Sequence, residues 1–176
     1  MKNFDDFKIK FVGLKEGKHD FSYHIDQRFF ALFDYSGFNE ADVDVALTLD
    51  KKSTLLELHF TINGTVNVNC DVSNEPFDQP ISNQLDLVVK FGESYNDDND
   101  EILILPRGDF YLEVQQYIYE AIILAVPYKK VHPRVADGTM DSKILDKLDE
   151  LSPGSSSEEK ETTDPRWDKL KDLLNE

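Results

Sequence analysis

From Val43 to Phe91 the sequence alternates, and that alternation constrains the fold more than any other feature of the chain. Val43, Val45, Leu47 and Leu49 are interleaved with Asp42, Asp44 and Thr48. Leu56, Leu58 and Phe60 alternate with Glu57, His59 and Thr61, and Val66, Val68, Cys70 and Val72 with Asn67, Asn69 and Asp71. Phe77, Ile81, Leu85, Leu87, Val89 and Phe91 share one side of a longer last segment. A period of two is what a strand with one buried and one solvated face requires. Directly opposed residues point to the same face, so parity tests each connection. A loop at 50–53 pairs Leu47 with Leu56 and Val45 with Leu58. A three-residue loop at 62–64 pairs Phe60 with Val66, which predicts a bulged hairpin with Gly64 at positive φ. A loop at 73–76 pairs Val72 with Phe77 and Val68 with Ile81. All three connections agree on an antiparallel meander of four strands. Pro80 is expected at a bulge or an edge, because proline cannot donate to a ladder.

The flanking segments supply the other elements. Phe7, Ile9 and Phe11 read as a strand, as do Phe21, Tyr23 and Ile25; Asp26 is placed to cap a short helix carrying Phe29, Phe30, Leu32 and Phe33. The most apolar stretch is expected to be a helix over 109–126, capped by Asp109. Val114, Tyr117, Ile118, Ala121, Ile122 and Ala125 recur there with helical spacing. Glu113, Gln116 and Glu120 form its polar stripe, and Pro127 ends it. Residues 96–101 read as a solvated loop, and 102–105 as a short strand leading into the helix. The expected fold is therefore α+β. A curved antiparallel meander sheet, half closed toward a barrel, packs against one long apolar helix, and a helical tail follows. In domain terms this gives an α+β domain over 1–135, a short amphipathic helix over 136–151, a flexible linker over 152–163 and a C-terminal helix over 164–176.

Charge and motifs bound the function. The 176-residue chain carries a net charge of −16, which repels phosphate and anionic lipid over most of its surface and attracts basic partners. Its first residues lack the apolar core of a signal peptide, and the single cysteine suits a reducing compartment, so a cytoplasmic location is expected. Cys70 alternates with the apolar face and reads as a core thiol. Four histidines without paired metal-ligand spacing predict no metal, and no cofactor motif is present. Glu113 and Glu120 would lie about 10 Å apart along a helix, too far to share a proton. Tyr128, Lys129, Lys130, His132 and Arg134 are the one basic and aromatic cluster. It reads either as a contact patch for a phosphate or an acidic partner, or as charge complementing a helix end. Asp164 and Pro165 suit the cap and first turn of a final helix, whose apolar stripe includes Trp167, Leu170 and Leu174.

Three blocks in this order resemble the YceD family, the large ribosomal RNA subunit accumulation proteins. The first runs from Gly64 through Cys70 to Glu75-Pro76-Phe77. It is similar to the family's strand, Cys-x-x-Cys and Pro-Phe hairpin, with Ser73 in place of the second cysteine. The second is Glu120 to Pro127 with His132, and the third is Asp164-Pro165-Arg166-Trp167 with Leu170. Because Ser73 replaces a cysteine and no cysteine follows His132, any metal binding by cysteine-rich members is not carried over. The resemblance implies a non-enzymatic factor in ribosome large-subunit biogenesis and ribosomal RNA accumulation, acting by binding. Its expected partner is a ribosomal protein or assembly factor, with ribosomal RNA reached indirectly and no membrane involved. Partner contacts are expected at the Tyr128–Arg134 cluster and at Asp164, Pro165, Arg166, Trp167 and Leu170. The alternative is an enzyme or small-molecule binder with a pocket between sheet and helix, using Glu120 and His132.

The metal expectation is directly measurable. Elemental analysis of the purified protein should find no stoichiometric zinc, and a chelator should leave its melting temperature unchanged. One zinc per chain would reopen Cys70 and His132 as ligands.

Overall fold

A computed structural model describes residues 4–99, 101–140 and 143–151. The chain divides into two units, Met1–His132 and Pro133–Glu176. The linker expected at 152–163 and the helix expected at 164–176, with Asp164, Pro165, Arg166, Trp167 and Leu170, lie outside the described residues.

The first unit is mixed α+β around a largely antiparallel, unclosed sheet. Its long strands are β2 (Gly17–Asp26), β3 (Glu40–Lys51), β4 (Leu55–Asn69) and β5 (Pro76–Gly92), joined by the short β6 (Asn96–Asn99) and β7 (Ile102–Pro106). They lie in the order β2-β3-β4-β5-β7-β6, with only the β5–β7 pair parallel. A separate two-stranded pairing joins β1 (Lys8–Ile9) to β8 (Leu112–Glu113). The sheet is unclosed, with β2 and β6 at its edges.

The alternation holds, but the strands are longer than the turn residues suggested. β4 runs unbroken through Asn63-Gly64, pairing Gly64 with Val43 on one side and Ile81 on the other. The hairpin expected at 62–64 does not exist, and Gly64 is not among the positive-φ residues. Even-numbered β4 residues keep one face throughout: Leu56, Leu58, Phe60, Ile62, Val66 and Val68 are all buried. That uninterrupted row outweighs the local turn preference of Asn-Gly, because breaking it would expose Ile62. Registers shift accordingly: Leu47 faces Phe60 rather than Leu56, and Val68 faces Phe77 rather than Ile81. Parity survives, since each shift is an even number of residues. Pro80 pairs with Thr65 where β5 has a neighbour on one side only, the expected edge position.

Gly64 is needed for another reason. A Cβ there would run into the carbonyl oxygen of Asp42 and lie 2.6 Å from the Cα of Val43. The glycine lets β3 and β4 approach, a use of the missing side chain rather than of positive φ.

Two helices cover the apolar face. Helix α1 (Gln27–Ala31) is capped by Asp26, whose carboxylate accepts from the Arg28 N–H at 3.0 Å. Phe29 and Phe30 are buried, and Phe30 packs edge-on to Phe38 at 4.9 Å. Helix α2 (Gln115–Ala125) buries Ile118, Ala121 and Ile122 and packs on β4 and β5. It begins at Gln115, and Val114 at its N-cap makes no side-chain capping bond, so Asp109 is not the cap. The preceding residues are drawn into β8, and Val114 N–H donates to the Phe7 carbonyl at 3.1 Å. Tertiary pairing thus satisfies the N–H of the N-cap residue itself, one of the donors a helix N-terminus leaves without an intrahelical partner. At the other end Val126 is extended, as a residue before proline is pushed to be. The first expected strand is shorter than its pattern: Phe4–Phe7 is a single 3-10 turn, although Phe7, Ile9 and Phe11 are all buried. Residues 96–99, expected as loop, form β6.

In the second unit the described elements are α3 (Pro133–Ala136) and α4 (Lys143–Leu151). Thr139 and Met140 N–H both donate to the Arg134 carbonyl at 2.9 Å. No helix among the described residues is long and apolar enough to cross a membrane.

Substitution at Gly64 tests this register. Gly64→Ala and Gly64→Val should each destabilise the protein, by about 1–3 kcal/mol for the overpacked valine. Thr65→Val, on the other face, should be nearly neutral. Amide exchange at 62–65 should be as slow as at 58–60; fast exchange at Asn63 and Gly64 would restore the hairpin.

Candidate functional site

The residues after β4 and the residues after α2 are sewn together. Cys70 opens a tight turn in which Asn74 N–H donates to the Cys70 carbonyl at 2.9 Å, with Asn74 at φ 58. The Cys70 thiol, 2% exposed, receives the N–H groups of Val72 and Ser73 at 3.4 Å and of His132 at 3.2 Å. Asp71 N–H donates to the Lys130 carbonyl at 2.8 Å, and Lys130 N–H donates to the Asp71 carboxylate at 2.7 Å. The Lys130 ammonium lies 3.7 Å from the same carboxylate, and the His132 ring 5.4 Å from Phe77. Burial pushes the Cys70 thiol up. Donation from His132 N–H, the Ser73 hydroxyl and the Ser73 and Val72 N–H groups outweighs burial and brings it from 9.0 down to about 7. These donors stabilise negative sulfur. Among the described residues no three His, Cys, Asp or Glu side chains are grouped to hold a metal ion.

The expected contact patch is therefore partly committed to the fold. Tyr128 and Lys129 are exposed, while Lys130 and His132 are half-buried and bound into the Cys70 turn. Arg134 belongs to the second unit, on α3.

Two arrangements were not read from the sequence. The solvent face of the sheet gathers carboxylates from β2, β3 and β5. Asp20 accepts from Thr48 at 2.8 Å, Asp44 and Asp42 lie 3.1 and 3.7 Å from His24, Asp86 pairs with His59, and Asp78 accepts from Asn67 at 2.7 Å. The alternating acids were visible, but the extent of the face depended on strands whose length was misjudged. The second arrangement is a hollow of about 380 Å³ where α2 passes β5 and β6. Tyr95, Asp97, Tyr117 and Glu120 line it. Asn83, a polar break in the core-facing row of β5, donates to the Ala121 carbonyl at 2.9 Å at its wall. His132 does not line it, so Glu120 and His132 do not share this pocket. Reading 96–99 as loop concealed the hollow.

A family model described as large ribosomal RNA subunit accumulation protein YceD matches residues 58–174, more than half of the chain. This chain belongs to the YceD family. The family's name implies a role in accumulation of the large ribosomal RNA subunit. Searches of curated proteins and of solved structures found no match. Within this YceD protein the matched stretch starts in β4 and takes in the Cys70 turn, the hollow's walls and the segment sewn onto the turn. It excludes β2 and β3, which carry Asp20, Asp42 and Asp44.

The thiol gives a pH signature. A folded-state pKa below the unfolded value means the fold favours thiolate. That stabilisation is full above about 9 and lost as pH falls through about 7. The melting-temperature difference between wild type and Cys70→Ser should therefore widen as pH rises from about 6 to about 9. A difference that stays flat would show that Cys70 remains a thiol.

Proposed function

We propose that this YceD-family protein serves large-subunit biogenesis by binding rather than by catalysis, and that its direct partner is a basic ribosomal protein or assembly factor. The acidic sheet face carries this reading. Carboxylates on β2, β3 and β5 share one solvated surface, and the histidines among them are paired with aspartates. With a net charge of −16, such a surface steers cationic protein segments toward it and ribosomal RNA away. Tyr128 and Lys129 are exposed just beyond α2 and are offered as further partner contacts, as are Asp164, Pro165, Arg166, Trp167 and Leu170. Lys130 and His132, tied to the Cys70 turn, are offered with them, and Arg134, on α3 of the second unit, is offered separately. The location that fits these partners is the cytoplasm.

An affinity capture from cells, with and without ribonuclease, separates the two kinds of partner. Large-subunit proteins should stay bound after ribonuclease and be released as salt rises from about 0.1 to 1 M, where screening is nearly complete. Tight, salt-insensitive binding to protein-free ribosomal RNA would overturn the reading.

A further inference from the structure

The hollow between α2 and β6 has a lining with a definite chemical preference. Asp97 and Glu120 bring two carboxylates to it, and among the described residues no lysine or arginine lines it. Asp97 accepts from the Tyr95 hydroxyl at 3.0 Å and Glu120 from the Gln116 carboxamide at 2.6 Å; among the described residues neither forms an ion pair. Tyr117 stands on its inner wall. Burial first, then Tyr95, Asp97 and Glu120, raises its hydroxyl well above the ordinary range, so it stays a neutral donor and acceptor. At the rim Leu124 is 80% exposed and Tyr95 55% exposed, apolar surface on a helix and loop that otherwise face water with polar groups. The volume sits at the small end of ligand pockets, which run roughly 300–1,000 Å³.

We infer that this hollow is a receptor for an arginine side chain presented by a basic protein partner, held between the carboxylates of Asp97 and Glu120 with Tyr95 and Tyr117 beside it. A guanidinium fits because its planar donors satisfy carboxylates and phenol oxygens together, and because it stacks on aromatic faces. A hard metal ion fits poorly, since it needs six or more oxygen ligands and no metal-holding group is present among the described residues. A polypeptide source fits better than a free small cation. The exposed Leu124 and Tyr95 give neighbouring partner residues an apolar shelf, the usual surround of a buried anchor. The inference rests on the proposed basic-protein partner and gives it a specific point of attachment.

Fluorescence polarisation of the full chain with a labelled peptide of alternating glycine and arginine, at about 0.15 M salt, reads this directly. Asp97→Asn with Glu120→Gln should weaken binding at least ~10-fold, as expected for charge-assisted pairs. Glu16→Gln with Asp34→Asn, the same charge change at exposed positions away from both the hollow and the sheet face, should weaken it by less than ~2-fold. Replacing arginine by citrulline in the peptide should abolish binding, and replacing it by lysine should weaken it. Tyr117→Phe serves as a second probe should the first pair fail to fold, and should also weaken binding. Equal losses for the two pairs of substitutions, or citrulline binding as well as arginine, would overturn the receptor. A second arm uses purified large-subunit ribosomal proteins. If wild type retains some and the Asp97→Asn, Glu120→Gln protein retains them equally, the hollow is ruled out while the basic-partner reading stands. If wild type retains none but the peptide results hold, the receptor stands and the ribosomal reading fails.

Discussion

Everything in the first unit depends on one unbroken row of side chains, the even-numbered residues of β4. Leu56 to Val68 present seven consecutive positions to the same face. Six are buried apolar side chains and the seventh is Gly64. Because β4 is paired with β3 from Leu56 to Asn67 and with β5 along its whole length, this row fixes the register of β3 and β5 together. Slipping either neighbour by one residue would turn its apolar set to water, a loss of roughly 1.5–3 kcal/mol for each large side chain moved. The glycine in the row admits the close approach of Val43, so the strongest pairing and the tightest spacing coincide. Helices α1 and α2 cover what the row leaves apolar, and Phe33 of the segment after α1 stacks on Tyr119 of α2 at 4.3 Å.

Side-chain faces were legible in the sequence and strand ends were not. Parity depends only on counting by two, so Val43, Leu58, Phe77 and Leu87 were assigned to the buried face correctly. Register depends on where chains turn, and here Asn63-Gly64 imitated a hairpin in a place where tertiary pairing holds the chain extended. The Asp26 cap was readable because its partner is two residues away. The start of α2 was not, because it depends on β8 pairing with β1, more than a hundred residues earlier. Hidden for the same reason was the hollow: Asp97 and Glu120 are distant in sequence, and only the placement of β6 beside β7 brings them near. Family membership was legible in short motifs, which do not depend on register at all.

The Cys70 turn shows how a fold can hold a sulfur without a second one. Serine at position 73 is 1% exposed, and its hydroxyl donates to the thiol while accepting from Glu75 N–H at 3.4 Å. Backbone donors from the turn and from His132 converge on the same atom, so hydrogen bonds to one sulfur help anchor the segment after α2. The Asp71–Lys130 pairing, two backbone-mediated bonds and a longer ion pair, closes the same junction from its other side. Exposed ion pairs add little, so the hydrogen bonds, among them the Lys130 N–H to the Asp71 carboxylate, carry most of that anchoring.

The same junction bears on where a partner can bind. Anchoring residues 130–132 to the Cys70 turn fixes the exit of α2, and with it the direction in which Leu124 and Tyr128 face solvent. The polar stripe on α2 then has a meaning that a helix seen in isolation lacks. Gln116 and Glu120 do not merely solvate a buried helix; they form one wall of a cleft whose other wall is the β6 edge of the sheet. Charge spread over the opposite sheet face acts at long range and is screened by salt, so it governs encounter more than fit. Carboxylates set among tyrosines in a cleft act at short range and can distinguish a guanidinium from an ammonium. A protein this acidic therefore needs no large basic surface to serve a ribosomal function. Long-range attraction can gather cationic chains, and a cleft on α2 can choose among them.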